Sequence, residues 1–139
     1  MKKAFVDCDV HLDLFLKRPP HFESALELFN LIELKKIHAF TSPLVFSNLF
    51  FILSKSLGKK QAMDNLRKLH ALVEISDLTA SAVNKTIASG FEDWEDALQN
   101  YSAVEAGLDF FLTRNKKDFK HSSLSVLTPE EFLKIHFPR

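Results

Sequence analysis

The chain has 139 residues, an apolar share of 46% and a formal net charge of zero, which is too hydrophobic for a disordered chain and gives no overall attraction to polyanions or anionic lipid. A single cysteine excludes an internal disulfide. The longest apolar runs fall short of the ~20 residues a membrane helix needs, and Asp7 and Asp9 interrupt an opening that otherwise begins like a signal peptide, so one cytoplasmic domain over residues 1–139 is expected.

Residues 4–8, AFVDC, predict a short buried strand that ends in an acid. Val10, Leu14 and Leu16 then fall near helical spacing until Pro19 and Pro20 break the pattern. Residues 21–36 carry Phe22, Leu26, Phe29 and Leu34 along one face, which predicts an amphipathic helix. HAFTS, 38–42, predicts a second strand; Ser42 and Pro43 form an N-cap and first-turn pair for a helix over 43–55. Gly58 precedes a further helix with Leu66, Leu69 and Leu72 on its stripe, and VEIS at 73–76 is a weak third strand. Thr79 caps a helix that runs to Gly90, and residues 95–107 predict another that stops at Gly107. LDFFLTR, 108–114, is the clearest strand, and SVLT, 125–128, is the fifth; Thr128, Pro129 and Glu131 then open the last helix with a capping box. Strands alternating with helices imply a three-layer α/β/α sandwich around a parallel sheet of about four or five strands.

In such a sheet a site lies beyond the carboxyl ends of the strands, where strand order reverses. Asp7 sits at such an end, and an acid among Phe5, Val6 and Cys8 is costly to bury unless paired or metal-bound. Asp9 reads more simply as the cap of the following helix. In FEDWEDALQ, 91–99, four acids surround Trp94. Acids favour a first helical turn in any case, which accounts for Glu92 and Glu95 as a solvated start. Asp96, with Asp93 three residues earlier on the same face, is a site candidate: two carboxylates ~4 Å apart repel by ~4 kcal/mol at an effective dielectric of 20, and a divalent cation removes that penalty. Beyond the fourth strand, TRNKKDF brings Arg114, Asn115, Lys116 and Asp118, which taken alone are an ordinary turn.

Taken together, VDCDVHLDLF around Asp7 and DALQNYSAVEAGLDFFLTRNKKDF over 96–119 resemble the PIN domain, and within it the small VapC-like toxins of bacterial toxin–antitoxin pairs. The resemblance spans essentially the whole chain; its first block is weak by itself and its last is fairly specific. It implies a metal-dependent endoribonuclease in which Asp7, Asp93 and Asp96 hold Mg²⁺ or Mn²⁺, Asp118 and Asn48 complete the catalytic set, and Arg114, Asn115 and Lys116, with Lys117 beside them, hold the RNA backbone. It also implies an antitoxin protein as partner. Two positions depart from the family pattern: Asn48 stands where an acid is usual in the helix after the second strand, and Asn115 where many members carry Asp directly after Thr-Arg. Hard divalent cations prefer carboxylate and water oxygens, so a reduced set of acids remains compatible with metal.

Two other readings compete. Asn48 suggests the same fold with impaired catalysis, acting as a binding module. The Asp-x-Asp of VDCDV suggests a haloacid-dehalogenase-type phosphatase with Asp7 as nucleophile, but FEDWED follows a helix where that chemistry needs an apolar strand; a receiver-type regulator fails for want of an acceptor Asp on a middle strand. Six scattered histidines make no zinc pair. Cys8 is expected to be a buried inert thiol within the first strand, Trp94 a packing residue, and Lys59, Lys60, Arg67 and Lys68 the wet face of a helix. The fourteen Phe suit core filling, and those at 46, 50 and 51 also suit a homodimer or partner surface.

Overall fold

A computed structural model describes all 139 residues. In chain order the elements are β1 (Lys2–Val6), α1 (Cys8–Phe15), α2 (Phe22–Glu33), β2 (Ile37–Thr41), α3 (Pro43–Leu57), α4 (Lys59–Leu72), β3 (Glu74–Ile75), α5 (Ala80–Ile87), α6 (Trp94–Glu105), β4 (Phe110–Leu112), a short 3-10 helix (Lys116–Phe119), β5 (Ser125–Leu127) and α7 (Pro129–His136). The five strands form one parallel sheet in the order β3-β2-β1-β4-β5, with helices packed around it. This is the expected α/β/α sandwich.

The register explains where chemistry can sit. From β1 the chain steps outward through β2 to β3, then crosses to the other side of β1 for β4 and β5. Strand order therefore reverses between β1 and β4, where Val6 lies opposite Leu112. Asp7 and Thr113 are the first residues beyond those two ends, and both still join the ladder: Asp7 N–H donates to Leu112 O and Thr113 N–H to Leu127 O, each at 3.0 Å.

Burial of apolar side chains drives the assembly. Ala4, Phe5 and Val6 of β1 and Phe111 and Leu112 of β4 have no exposed surface, and the Phe5 and Phe111 rings stack with centroids 4.9 Å apart. Phe119 lies against Phe111 at 4.4 Å, which fastens the 3-10 helix to the sheet. Helix ends follow their caps. Ser42 Oγ accepts from Val45 N–H, Thr79 Oγ1 from Ala82 N–H, and Thr128 and Glu131 bond reciprocally. Gly107, at φ +73°, closes α6 in a Schellman turn with Leu108 N–H on Ala103 O and its own N–H on Val104 O.

Several local expectations are corrected. The first strand stops at Val6, so Cys8 begins α1 instead of ending a strand, and Asp7, not Asp9, is the N-cap. On α2 the inward face is Ala25, Leu28, Phe29 and Ile32, whereas Leu26 and Leu34 are exposed; several apolar stripes were available and packing selected another. On α4, Leu69 is buried with Ala62 and Asn65, while Leu66 and Leu72 are half-buried. The fifth helix ends at Ile87, three residues short of Gly90. Phe51 points to solvent with the Lys55 ammonium 4.2 Å from its ring centre, while Phe46 and Phe50 pack on the core. Trp94 is 52% exposed, not a packing residue.

Candidate active site

The sheet and α1 together build one wall. Asp7 follows the last residue of β1 and caps α1, its Oδ1 accepting Cys8 N–H at 2.8 Å. Its other oxygen, Oδ2, accepts from Thr113 Oγ1 at 2.9 Å. Asp9, in the first turn of α1, accepts Arg114 N–H at 3.0 Å, and the Thr113 hydroxyl lies 3.4 Å away. Beneath them the carbonyl of Val6 accepts from buried His11 Nε2 and Thr41 Oγ1. Burial pushes the His11 imidazole down to about 4, so it is a neutral structural donor at ordinary pH.

The opposite wall is the start of α6. Asp93 caps that helix by accepting Asp96 N–H at 2.9 Å, which places Asp96 in the first turn, near enough to Asp7 and Asp9 for their charges to interact. Asn48, on α3, donates Nδ2–H to Glu95 Oε2 at 3.4 Å. Glu95 is solvent-exposed as expected, yet it brings a carboxylate beside the residue that departs from the family pattern. Asp118, exposed on the 3-10 helix, is close enough for its charge to act on Asp96.

Burial, and then mutual repulsion, keeps protons on these acids. Asp7 is pushed up to about 7, first by burial and then by the negative charge of Asp9, with the Cys8 N–H and Thr113 hydroxyl pulling the other way and Asp96 adding to the rise. Asp96 is also pushed up to about 7, by burial and then by Asp93, Asp118, Asp9 and Glu95. Asp9 is raised by burial, against the pull of Arg114. Burial, with the same acids adding to it, lifts the Cys8 thiol to about 12, so it keeps its proton; the residue is half-buried, not fully buried as expected.

Whether the pocket suits a cation can be tested on its oxygens. Asp9 Oδ1 is buried with no hydrogen-bond partner, a state that costs ~1–3 kcal/mol unless something positive meets it. All the candidate donors are carboxylate oxygens, the set preferred by hard divalent ions. No three His, Cys, Asp or Glu side chains close into a cage by themselves.

The expected substrate residues are placed differently. Arg114 is bound to Asp13 on α1 through Nε at 2.7 Å and Nη2 at 3.2 Å, and Arg18 joins the same carboxylate at 3.0 Å. Asp13 is 1% exposed, so Arg114 is tied into a buried hub. Lys116 pairs with Glu131 at 3.0 Å. Asn115 is exposed, with only its N–H turned back on the Thr113 hydroxyl at 3.1 Å. Sequence reasoning set Asp9 aside as a cap and passed over Asp13 and Thr113. The i, i+4 interval between Asp9 and Asp13 was the one available signal, since it places both on one helix face. A hollow of about 640 Å³ between α2 and α7 holds none of these residues.

Comparison with known proteins accords with this geometry. The family described as PIN domain matches residues 3–117. Ribonuclease VapC1 of Aquifex aeolicus (strain VF5) is 29% identical over 136 residues, covering 94% of this chain and 93% of its own. Among solved structures, DNA-bound VapBC from Salmonella typhimurium superposes with a TM-score of 0.72 at 18% identity, covering 93% of this chain and 99% of that one. VapBC2 from Rickettsia felis, bound to a DNA fragment from its promoter, gives 0.70 at 22% identity, with 91% and 98% covered.

Proposed function

Because the chain belongs to the PIN-domain family, we propose that it is an endoribonuclease that hydrolyses RNA phosphodiesters with the help of Mg²⁺ or Mn²⁺, and that it is the toxin of a toxin–antitoxin pair acting in the cytoplasm. The observation that carries this reading is the convergence of Asp7, Asp9 and Asp96 at the strand-order reversal, two of them pushed up to about 7. The Aquifex aeolicus ribonuclease and the VapBC structures supply the activity and the partner class.

In this reading Asp7 and Asp96 hold the ion, with the unpartnered oxygen of Asp9 beside them. Asp93 serves mainly by fixing Asp96 through the cap bond. When bound, the cation supplies positive charge that offsets the phosphate and makes a nearby water a stronger nucleophile. Thr113 holds the Asp7 carboxylate in place by its hydroxyl bond. Asp118, near enough for its charge to act on Asp96, is the group we assign to receive the proton that the attacking water sheds. Asn48 orients Glu95 toward this edge, so charge lost at position 48 is supplied from α6.

The test is cleavage of RNA in Mn²⁺ by the wild type and by Asp7→Asn and Asp96→Asn. Each substitution is expected to lower the rate by ~10²-fold or more, the scale of losing one electrostatic stabiliser. Unchanged cleavage in both variants overturns the site. The second reading, a binding module with impaired catalysis, is favoured by Asn48 alone; calorimetry that finds no Mn²⁺ binding at millimolar concentration would support it.

A further inference from the structure

A second hollow lies beside the acid cluster, sharing Asp93 and Asp118 with its edge. It measures about 600 Å³ and is lined by Glu92 and Asp93 on one side and by Lys117, Asp118, Lys120 and His121 on the other, without one hydrophobic residue. Its wall is bonded to the site itself, since the Asp93 carboxylate that lines it accepts Asp96 N–H. At the far end the His121 ring lies beside Phe91, with centroids 6.0 Å apart, and over Gly90, where a Cβ would stand 3.4 Å from the imidazole. The exposed ring thus lies close to the Gly90 backbone and bounds that end of the groove.

The lysines here differ from their neighbours. Lys116 and Arg114 are taken by Glu131 and Asp13, whereas Lys117 and Lys120 make no ion pair, and both are exposed. Three residues apart along a 3-10 turn, their side chains share one face. Phe119 between them is buried at 2% exposure, so that face is anchored to the core. Glu92 and Asp93 stand on the facing wall and Asp118 lies between the lysines, so it is the 117–121 side, with two unpaired ammonium groups, that suits a chain of phosphates. The groove offers no apolar anchor of the kind a protein partner's hot spot needs.

We propose that the groove between residues 90–93 and 117–121 carries the single-stranded RNA beyond the cleavage point, with Lys117 and Lys120 each holding a backbone phosphate. This rests on the ribonuclease reading and extends it to residues outside the acid cluster. Phosphate contacts are indifferent to base sequence, so a generic probe suffices.

The experiment measures fluorescence anisotropy of a 5′-labelled 12-nucleotide oligouridylate in EDTA across a KCl series. Lys117→Ala/Lys120→Ala is expected to weaken binding by about tenfold and to reduce the slope of log K against log[salt] by ~1.4, the value for two lost contacts on a single strand. Lys59→Ala/Lys60→Ala, which removes the same charge from the outer face of α4, is expected to change Kd less than twofold. With RNA as substrate the groove variant should raise KM and leave kcat within about twofold. Wild-type affinity and slope in the groove variant overturn the proposal while the ribonuclease reading stands. An equal loss in the α4 variant also overturns it, because bulk charge would then account for binding. Failure of the wild-type protein itself to bind the probe overturns the groove, while the ribonuclease reading stands or falls on its own Mn²⁺ cleavage test.

Discussion

Asp7 and Asp96 keep their protons in the folded chain up to about pH 7, whereas the same carboxyls ordinarily ionise at 3.8. Between those values the folded state binds more protons than the unfolded one, so stability falls as pH rises through this window and the contribution is fully present only below it. In EDTA the protein is therefore expected to melt at a lower temperature at pH 8 than at pH 5.5. Asp7→Asn should flatten that dependence and raise the pH 8 melting point by several degrees, at the cost of activity; differential scanning fluorimetry decides it, and an unchanged pH profile in the variant would refute the buried-charge account. The acid at position 7 was legible because it interrupts an apolar strand. Asp9 was not, because an acid two residues into a helix is adequately explained by the macrodipole. Only the fold reveals that one of its oxygens has no partner.

At the scale of elements, the pivotal join is between α1 and the end of β4. Asp13 receives Arg114 from beyond β4 and Arg18 from beyond α1, and Asp9 receives the Arg114 N–H. Removing a buried carboxylate that serves two guanidinium groups is destabilising by ~3–5 kcal/mol where all are buried. Here Arg114 and Arg18 keep 31% and 40% of their side-chain surface in water, so Asp13→Ala is expected to cost about 2–3 kcal/mol, read from urea denaturation. A loss below ~0.5 kcal/mol would show the hub to be decorative. Element existence and order were largely legible, because Ser42, Thr79 and Thr128 each announce a helix with a side-chain cap; Asp93, expected as a metal ligand, does the same for α6 without having been read so. The partner of Asp13 was not, since nothing local to VHLDLF says which acid meets an arginine about a hundred residues later. The strand end was misplaced for a related reason: Asp7 is both the last polar stop of an apolar run and a good N-cap, and the cap prevailed.

For the whole molecule, alternation of strands and helices made the parallel sandwich legible, but strand order is a long-range property with no local signal. That order places the ends of β1 and β4 side by side and makes the reversal a site. A cation bound there joins α6 to the β1 end and binds only the folded chain, so at one hundred times its Kd it adds ~2.7 kcal/mol. Mn²⁺ at pH 8 should thus raise the melting temperature by roughly 5–10 °C for a chain of this size, and by much less at pH 5.5, where the acids are protonated. No shift at saturating metal would count against the cation site. One residue makes such events visible without a label. Trp94 is the chain's sole tryptophan, 52% exposed at the first position of α6, between the capping Asp93 and the acids of the next turn. All tryptophan emission from this protein therefore originates at the start of α6, beside the acid cluster. Covering that position, by nucleic acid or by a neutralising protein, would move the indole from water into contact and shift its colour toward the blue, so the molecule carries its own optical gauge of occupancy.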